Sequence, residues 1–328
     1  MVIRCKRCGA EGGPGRCTGC GHRSTPVHGP LEGRRLGERT LGETLGRGAM
    51  GTVYTVEGDR SLAVKVLHAE LASGPSGRRF AREARACLSL DHPHLLRVYE
   101  SVPGPPPHLV MERLEGRTLL EWRDTASDEE RLAVFQQVLA ALQHGHERGV
   151  VHRDLKAENV MVQRRGSGWH AVLCDFGLAK LVEGSGTVIT EAGFVCGTPA
   201  YMAPEQIRGA AVSAQTDVYG AGCLLFVLLT GTLPFRAANV MDTLAAHVAD
   251  PVPSLVARRG KDPWSVRLDP VIRRAMAKDP TRRFASAQAF SQAIEHAFAP
   301  NPRLRWAFSA SLLLMAAALA GVAYALMG

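Results

Sequence analysis

The sequence predicts an α+β chain of two lobes, a small β-rich one followed by a larger helical one. A cysteine-rich segment precedes them and a charge-free segment follows. Three observations carry that expectation. Between Arg39 and Leu67, apolar and β-branched residues alternate between glycine turns, the pattern of strands. The stretch "EERLAVFQQVLAALQHGHERG" and most of the chain from 205 to 297 follow a helical period. Residues 306–326 contain no charged side chain.

At 328 residues the chain is long enough to bury a sizeable core. Its formal net charge of +8 is dispersed in short clusters such as Arg34-Arg35, Arg78-Arg79 and Arg282-Arg283. That dispersion argues against nucleic acid as a partner of the main body. Eight cysteines are present, and four of them, Cys5, Cys8, Cys17 and Cys20, lie within the first 20 residues. The opening "MVIRCKRCG" has no apolar leader, so a reducing compartment is expected, where paired cysteines favour metal over disulfide. "CKRCG" and "CTGCG" form two C-x-x-C-G knuckles, and four thiolates suit a structural Zn²⁺. A free-thiol tail or a disulfide staple is the alternative. Residues 1–23 are therefore read as a zinc-ribbon-like segment and residues 24–38, rich in Pro, Gly and charge, as a linker.

From there the elements follow in order. "TLGETLGRGAMGTVYTVEGDRSLAVKVL" reads as three strands, with Glu57-Gly58-Asp59 at the second turn. "SGRRFAREARACLSL" reads as a helix with Phe80, Ala84, Cys87 and Leu88 on one face, and "HLVMERLEG" as a further strand and turn. The helix of residues 129–149 presents Leu132, Phe135, Val138, Leu139 and Leu142 on one stripe. The lobes span 39–297, with 298–305 as a juxtamembrane stretch and 306–326 as a transmembrane helix. At 1.5 Å per residue that last run covers roughly 31 Å, close to a bilayer's hydrocarbon core. Arg303 and Arg305 flank its start, and Trp306 and Tyr324 lie near its ends, which places the lobes on the cytoplasmic side. A buried terminal helix is the alternative.

Several short motifs bear chemistry. "LGRGAMGTV" carries Gly46, Gly48 and Gly51 as G-x-G-x-x-G, yet "TVYTVEG" after it reads as a strand rather than the helix a dinucleotide fold requires. A glycine turn between strands is either a plain hairpin or a flap over phosphates. Lys65 lies within the apolar strand "LAVKVL", where a cation needs an anionic partner, and Glu83 is the candidate carboxylate. In "HRDLKAEN", Asp154 stands beside Arg153, two positions before Lys156 and five before Asn159. Asp175 in "LCDFGLA" ends an apolar run and suits Mg²⁺, and "GTPAYMAPE" supplies Thr198 and Glu205.

In this order and spacing, "LGRGAMGTV", "AVK", "HRDLKAEN", "DFG" and "APE" resemble the eukaryotic-type protein Ser/Thr kinase family in its bacterial style. The resemblance covers about 39–297 and implies the bilobal kinase-like fold, with ATP and Mg²⁺ (or Mn²⁺) as cofactors. It implies catalytic roles for Lys65, Asp154, Lys156, Asn159 and Asp175, the last two holding the metal. Nucleotide would meet Leu45, Gly46, Arg47, Gly48, Ala49, Met50, Gly51, Thr52 and Val53 of the glycine loop, with Ala63, Lys65, Glu83, Glu112 and Leu114. Met111 takes the gatekeeper position and Met161 lies under the adenine. Arg153 faces an activation loop from Asp175 to Glu205, where Thr187 and Thr190 are candidate autophosphorylation sites. Asp217 resembles the aspartate that braces the catalytic loop, and Glu205 with Arg283 a buried ion pair. Ala157 replaces the proline common in this motif.

The expected partners are protein substrates with Ser or Thr, ATP, and a bacterial inner membrane through the C-terminal helix. Small residues such as Ala316, Ala320 and Gly321 suit a homodimer for phosphorylation in trans. The competing readings are a nucleotide-binding scaffold and a zinc-ribbon recruitment protein.

Overall fold

In a computed structural model of the chain, residues 31–48, 51–68, 88–176 and 198–298 are described in full, and 3–4, 11–12, 15–16 and 23–24 as backbone alone. Two compact units divide the chain: residues 1–81 with 97–114, and residues 82–96 with 115–328.

The first unit is a six-stranded antiparallel sheet. Its strands are β1 (Arg35–Leu36), β2 (Arg39–Arg47), β3 (Gly51–Val56), β4 (Asp59–Leu67), β5 (Val98–Val102) and β6 (His108–Glu112), in the order β1-β2-β3-β4-β6-β5. Alternation along the strands sends Leu41, Tyr54, Val56, Val64, Val66 and Val110 to one buried face. Residues placed by the sequence in the linker continue this sheet: Leu31 and Leu36 pack on that core, and the Arg34 carbonyl accepts from Leu41 N–H at 2.9 Å. Gly51 is required by close approach, because a Cβ there would collide with the Val66 carbonyl on β4. Two short backbone pairings precede the sheet, Ile3–Arg4 with Glu11–Gly12 and Gly15–Arg16 with Arg23–Ser24.

The second unit is helical around one long core. Short β7 (Arg117–Thr118) leads into α1 (Leu119–Arg123) and then α2 (Asp128–Glu147). Both helices start with capping boxes, Thr118 with Glu121 and Ser127 with Glu130. The expected stripe on α2 is buried: Leu132, Phe135, Val138, Leu139 and Leu142 all face the core. A hairpin that periodicity alone did not isolate follows, β8 (Val160–Arg165) paired with β9 (Gly168–Leu173). Then come α3 (Pro204–Ile207), α4 (Ala214–Thr230), α5 (Val240–Ala249), α6 (Leu255–Arg259), α7 (Pro263–Ala275) and α8 (Ala287–Phe298). Every residue of α4 from Thr216 to Leu229 is buried, so this helix is the hub around which the others pack.

Two expectations are corrected here. A structural Zn²⁺ needs several ligating side chains to converge. Among the described residues no group of three or more His, Cys, Asp or Glu could hold a metal ion, and Cys174 and Cys223 form no disulfide. A membrane span needs about 20 apolar residues in one helix. Among the described residues no helix is long and apolar enough to cross a membrane, and the apolar α4, 17 residues long, is a core helix. Cys5, Cys8, Cys17 and Cys20 and the segment 306–326 lie outside the described residues. The zinc ribbon, the membrane tether and the inner-membrane location are therefore not carried further, and the described residues form the two units.

Candidate active site

In the first unit, the strand register gathers the residues expected at a nucleotide. Val53 pairs with Lys65, Leu109 with Lys65 and Met111 with Ala63. Because Tyr54, Val64, Val66 and Val110 occupy the core face, Val53, Ala63, Lys65, Leu109 and Met111 share the opposite face. Lys65 is 6% exposed there, an ammonium held on an otherwise apolar surface. The glycine loop closes tightly: Gly46 stands opposite Val53, Arg47 opposite Thr52, and Gly48 N–H donates to the Gly51 carbonyl at 2.9 Å. Leu45 is exposed beside it. At the end of β6, Glu112 N–H donates to Arg97 O at 2.9 Å and its carboxylate accepts from Arg97 N–H at 2.8 Å. The backbone group Glu112 can offer a ligand is thus its carbonyl. Leu114 follows, half-buried, and ends this unit. Ala49, Met50 and Glu83 lie outside the described residues, as do Thr187 and Thr190.

In the second unit, the loop between α2 and β8 is organised by one buried carboxylate. Asp217 on α4 accepts from His152 N–H (2.7 Å), Arg153 N–H (2.9 Å) and His146 Nε2 (2.7 Å). Gln206 on α3 donates to the Arg153 carbonyl at 2.8 Å. These bonds hold Arg153 at φ 68°, a left-handed conformation costing a non-glycine residue roughly 1–2 kcal/mol. Burial alone would push the Asp217 carboxyl up. The hydrogen bond and charge of His146, with His152 and the Arg153 amide, outweigh that and hold it below the ordinary carboxylate value.

This loop presents Asp154. One carboxylate oxygen lies 2.9 Å from Lys156 Nζ, and the other accepts from Thr198 Oγ1 at 3.2 Å. Lys156 Nζ in turn donates to Thr198 Oγ1 at 3.1 Å, closing a triangle of base, cation and hydroxyl. Asn159, in a short turn with buried Ala157, donates its amide nitrogen to the Asp154 carbonyl at 2.8 Å. That bond orients its side-chain oxygen as a hard donor. His152 ties the loop to the end of β9. Its Nδ1 accepts from Asp154 N–H at 3.3 Å, so Nε2 carries the proton and donates to the Cys174 carbonyl at 3.0 Å. Cys174 N–H also donates to Asn159 O at 2.7 Å. Asp175 follows at φ 58°, next in sequence to this anchor.

Phe176 packs edge-to-face on His152 with centroids 5.1 Å apart. It also lies over Gly145 of α2, where an added Cβ would collide with the ring. Gly145→Ala is therefore expected to displace Phe176 from His152, to lower turnover and to cost about 1–3 kcal/mol of stability. Turnover and thermal melts of the purified chain check this, and unaltered turnover would remove Phe176 packing from the account.

A second buried clamp stands behind the loop. Glu205 and Arg283, both about 5% exposed or less, pair bidentately at 2.7 and 2.7 Å. The guanidinium also donates to Ala277 O, Gln215 O and Lys278 O, and Glu205 accepts from Thr216 Oγ1. Burial raises the Glu205 pKa, but Arg283 and Thr216 outweigh it and the carboxyl stays below its ordinary value.

The sequence reading placed Asp154, Lys156, Asn159, Thr198, Asp217, Glu205 and Arg283 where they meet. It missed His146, Gln206, Gly145 and the link from His152 to Cys174. His146 had a signal: it sits seven residues after Leu139, on the apolar stripe of α2, where an imidazole needs a buried partner.

The chain belongs to the protein kinase domain family, whose model matches residues 39–299. Within it, the class is the protein serine/threonine kinase. The chain is 40% identical over 301 residues to the serine/threonine-protein kinase Pkn1 of Myxococcus xanthus, covering 88% of this chain and 43% of that protein. It is 38% identical over 261 residues to PknB of Mycobacterium tuberculosis, covering 75% of this chain and 41% of that protein. The crystal structure of the M. tuberculosis PknI kinase domain superposes with a TM-score of 0.64 at 28% identity, covering 81% of this chain and 98% of that one. The chain thus spans about two fifths of the length of these curated relatives. The family match begins after the cysteine segment and ends before the apolar one.

Proposed function

We propose that the chain transfers the γ-phosphoryl group of ATP to serine or threonine hydroxyls of protein substrates. The triangle of Asp154, Lys156 and Thr198 is the observation that carries this reading. A transferring phosphoryl group spreads negative charge over its oxygens, so catalysis rests on positioning and electrostatics. Asp154 orients the substrate hydroxyl and takes its proton as oxygen attacks the γ-phosphorus and the bond to the ADP oxygen breaks. Lys156 stabilises the charge on the moving group. Its contact with Asp154 also keeps the two oriented.

In this proposal the sheet face with Val53, Ala63, Lys65 and Met111 receives the nucleotide. Lys65 holds the α- and β-phosphates under the glycine loop, Leu45 to Val53. The Glu112 carbonyl and Leu114 meet the adenine edge. Asn159 and Asp175 offer an amide oxygen and a carboxylate, the hard donors that Mg²⁺ prefers when it also binds phosphates. The oriented Asn159 amide and the anchored Cys174–Asp175 step fit that ion. Bound there, Mg²⁺ would neutralise phosphate charge. The Arg153 backbone is fixed by Asp217 and Gln206, and in this proposal its guanidinium faces the activation loop.

The test is to incubate the chain with labelled ATP, Mg²⁺ and a serine-rich protein and to identify the labelled residues by mass spectrometry. Lys65→Met is expected to abolish labelling by misplacing the phosphates. Labelling of neither added protein nor chain would favour the nucleotide-binding scaffold instead.

A further inference from the structure

Outside this site, four imidazoles of the second unit stand in a row. His144 on α2 lies 5.0 Å from His92, His92 lies 5.5 Å from His94, and His94 lies 4.7 Å from His170 on β9, centroid to centroid. His92 and His94 belong to the loop 91–96, which docks on β9 through Leu96 N–H to Leu173 O (3.0 Å) and Leu173 N–H to His94 O (2.9 Å). The imidazoles reinforce that docking: His94 Nδ1 bonds Ala171 O and His170 Nε2 bonds Pro93 O, each at 2.9 Å.

Hydrogen-bond chemistry fixes where protons are and are not. His94 Nδ1 faces a carbonyl and carries hydrogen; His170 Nε2 lies 2.9 Å from Pro93 O and 3.4 Å from Arg165 Nη1, and the shorter contact with the carbonyl assigns it a hydrogen as well. His92 Nδ1 accepts from the His94 backbone N–H at 3.2 Å, and His144 Nδ1 faces Arg148 Nη1 at 3.2 Å, so both are bare. His144 Nε2 is buried without a partner. A proton added to His92 or His144 at Nδ1 therefore breaks an existing bond, and protonating two neighbours in the row sets like charges about 5 Å apart. The other charged groups facing the row are mixed. Arg148 on α2 and Arg165 on β8 oppose protonation, while Asp91 of the loop and Glu147 of α2 favour it.

We propose that this row is a proton-operated latch, which holds the 91–96 loop on β9 while the imidazoles are neutral and releases it as they take up protons. Burial first, then neighbouring charge, pulls all four below the ordinary imidazole value, with the Ala171, Pro93, Asp91 and Glu147 contacts opposing. The sign follows. Groups whose folded pKa is depressed bind more protons in the released state, so docking is strongest at neutral pH and weakens as pH falls below about 6.5. Leu173 immediately precedes Cys174 and Asp175, so release also loosens the anchor of Asp175. Only that catalytic consequence rests on the phosphotransfer reading.

The test is amide hydrogen exchange on the full chain, corrected for intrinsic rates, between about pH 7.5 and 5.5. Leu96 and Leu173 are expected to lose protection severalfold at the lower pH, while the α4 amides do not. His94→Asn and His144→Gln, checked for folding by thermal melts, are each expected to flatten that response. The proposal is overturned if wild-type protection at Leu96 and Leu173 does not change, or if a folded variant keeps the full wild-type response. The wild-type arm decides even where a variant fails to fold. Loss of protection in a chain that transfers no phosphate at any pH would leave the latch standing and remove the phosphotransfer reading.

Discussion

Asp154→Asn is expected to lower turnover by about 10²- to 10⁴-fold, the usual contribution of a positioned general base, while nucleotide still binds. The substitution preserves shape but removes the negative charge that faces Lys156 at 2.9 Å, and leaves one acceptor oxygen where Lys156 and Thr198 now use two. The loop backbone should not move, because His152 and Arg153 are held by Asp217 rather than by Asp154. The loss therefore belongs in kcat, with nucleotide Kd unchanged. Steady-state kinetics alongside nucleotide titration separate the two, and unaltered turnover would strip Asp154 of its assigned role.

Arg283→Ala is expected to cost about 3–5 kcal/mol, because it leaves the Glu205 carboxylate buried and unpaired. For a domain of this size that lowers Tm by roughly 10 °C. Arg283→Lys should rescue little, since an ammonium cannot reproduce the fork that reaches Glu205 and three carbonyls at once. The deficit has a pH signature. In the wild type, Glu205 is held below its ordinary pKa, so its pairing stabilises above about 4.5 and is lost as pH falls through the folded value. Without Arg283, burial dominates and the carboxyl is pushed up, so the variant recovers as the acid is neutralised. Thermal melts of both chains should converge as pH is lowered from neutral toward about 5. A gap that stays constant would show that the pair acts through packing and not charge.

Much of this site could be read from the linear sequence because its chemistry lies in short contiguous words. "HRDLKAEN" and "LCDFGLA" place Asp154, Lys156, Asn159 and Asp175 within a few residues of a strand or turn, so local geometry already limits what they can do. Periodicity located the helix 128–147 and the strands of 39–67 for the same reason, since each element's burial pattern repeats within its own length. The hairpin β8–β9 escaped because "VMVQRRGSGWHAVL" mixes charge with apolar residues and its strands declare themselves only when paired. The expected zinc ribbon rested on the spacing of four cysteines and the membrane span on one charge-free run, and neither has support in the described structure or the family match.

By itself, then, the sequence determined the strands of 39–67, the long helix after them and the kinase class, and it named the candidate reacting side chains, all of which are encoded at short range. Tertiary structure alone decided what holds them in place. Asp217 reaches His146 and the backbone of His152 and Arg153 across more than sixty residues, and Arg283 reaches Glu205 across 78. The left-handed turns at Arg153 and Asp175, the proton on His152 Nε2 and the row of four imidazoles arise the same way. The physical reason is that a buried charge or hydrogen bond is stable only with its partner, and that partner is chosen by packing around α4 rather than by neighbours in the chain.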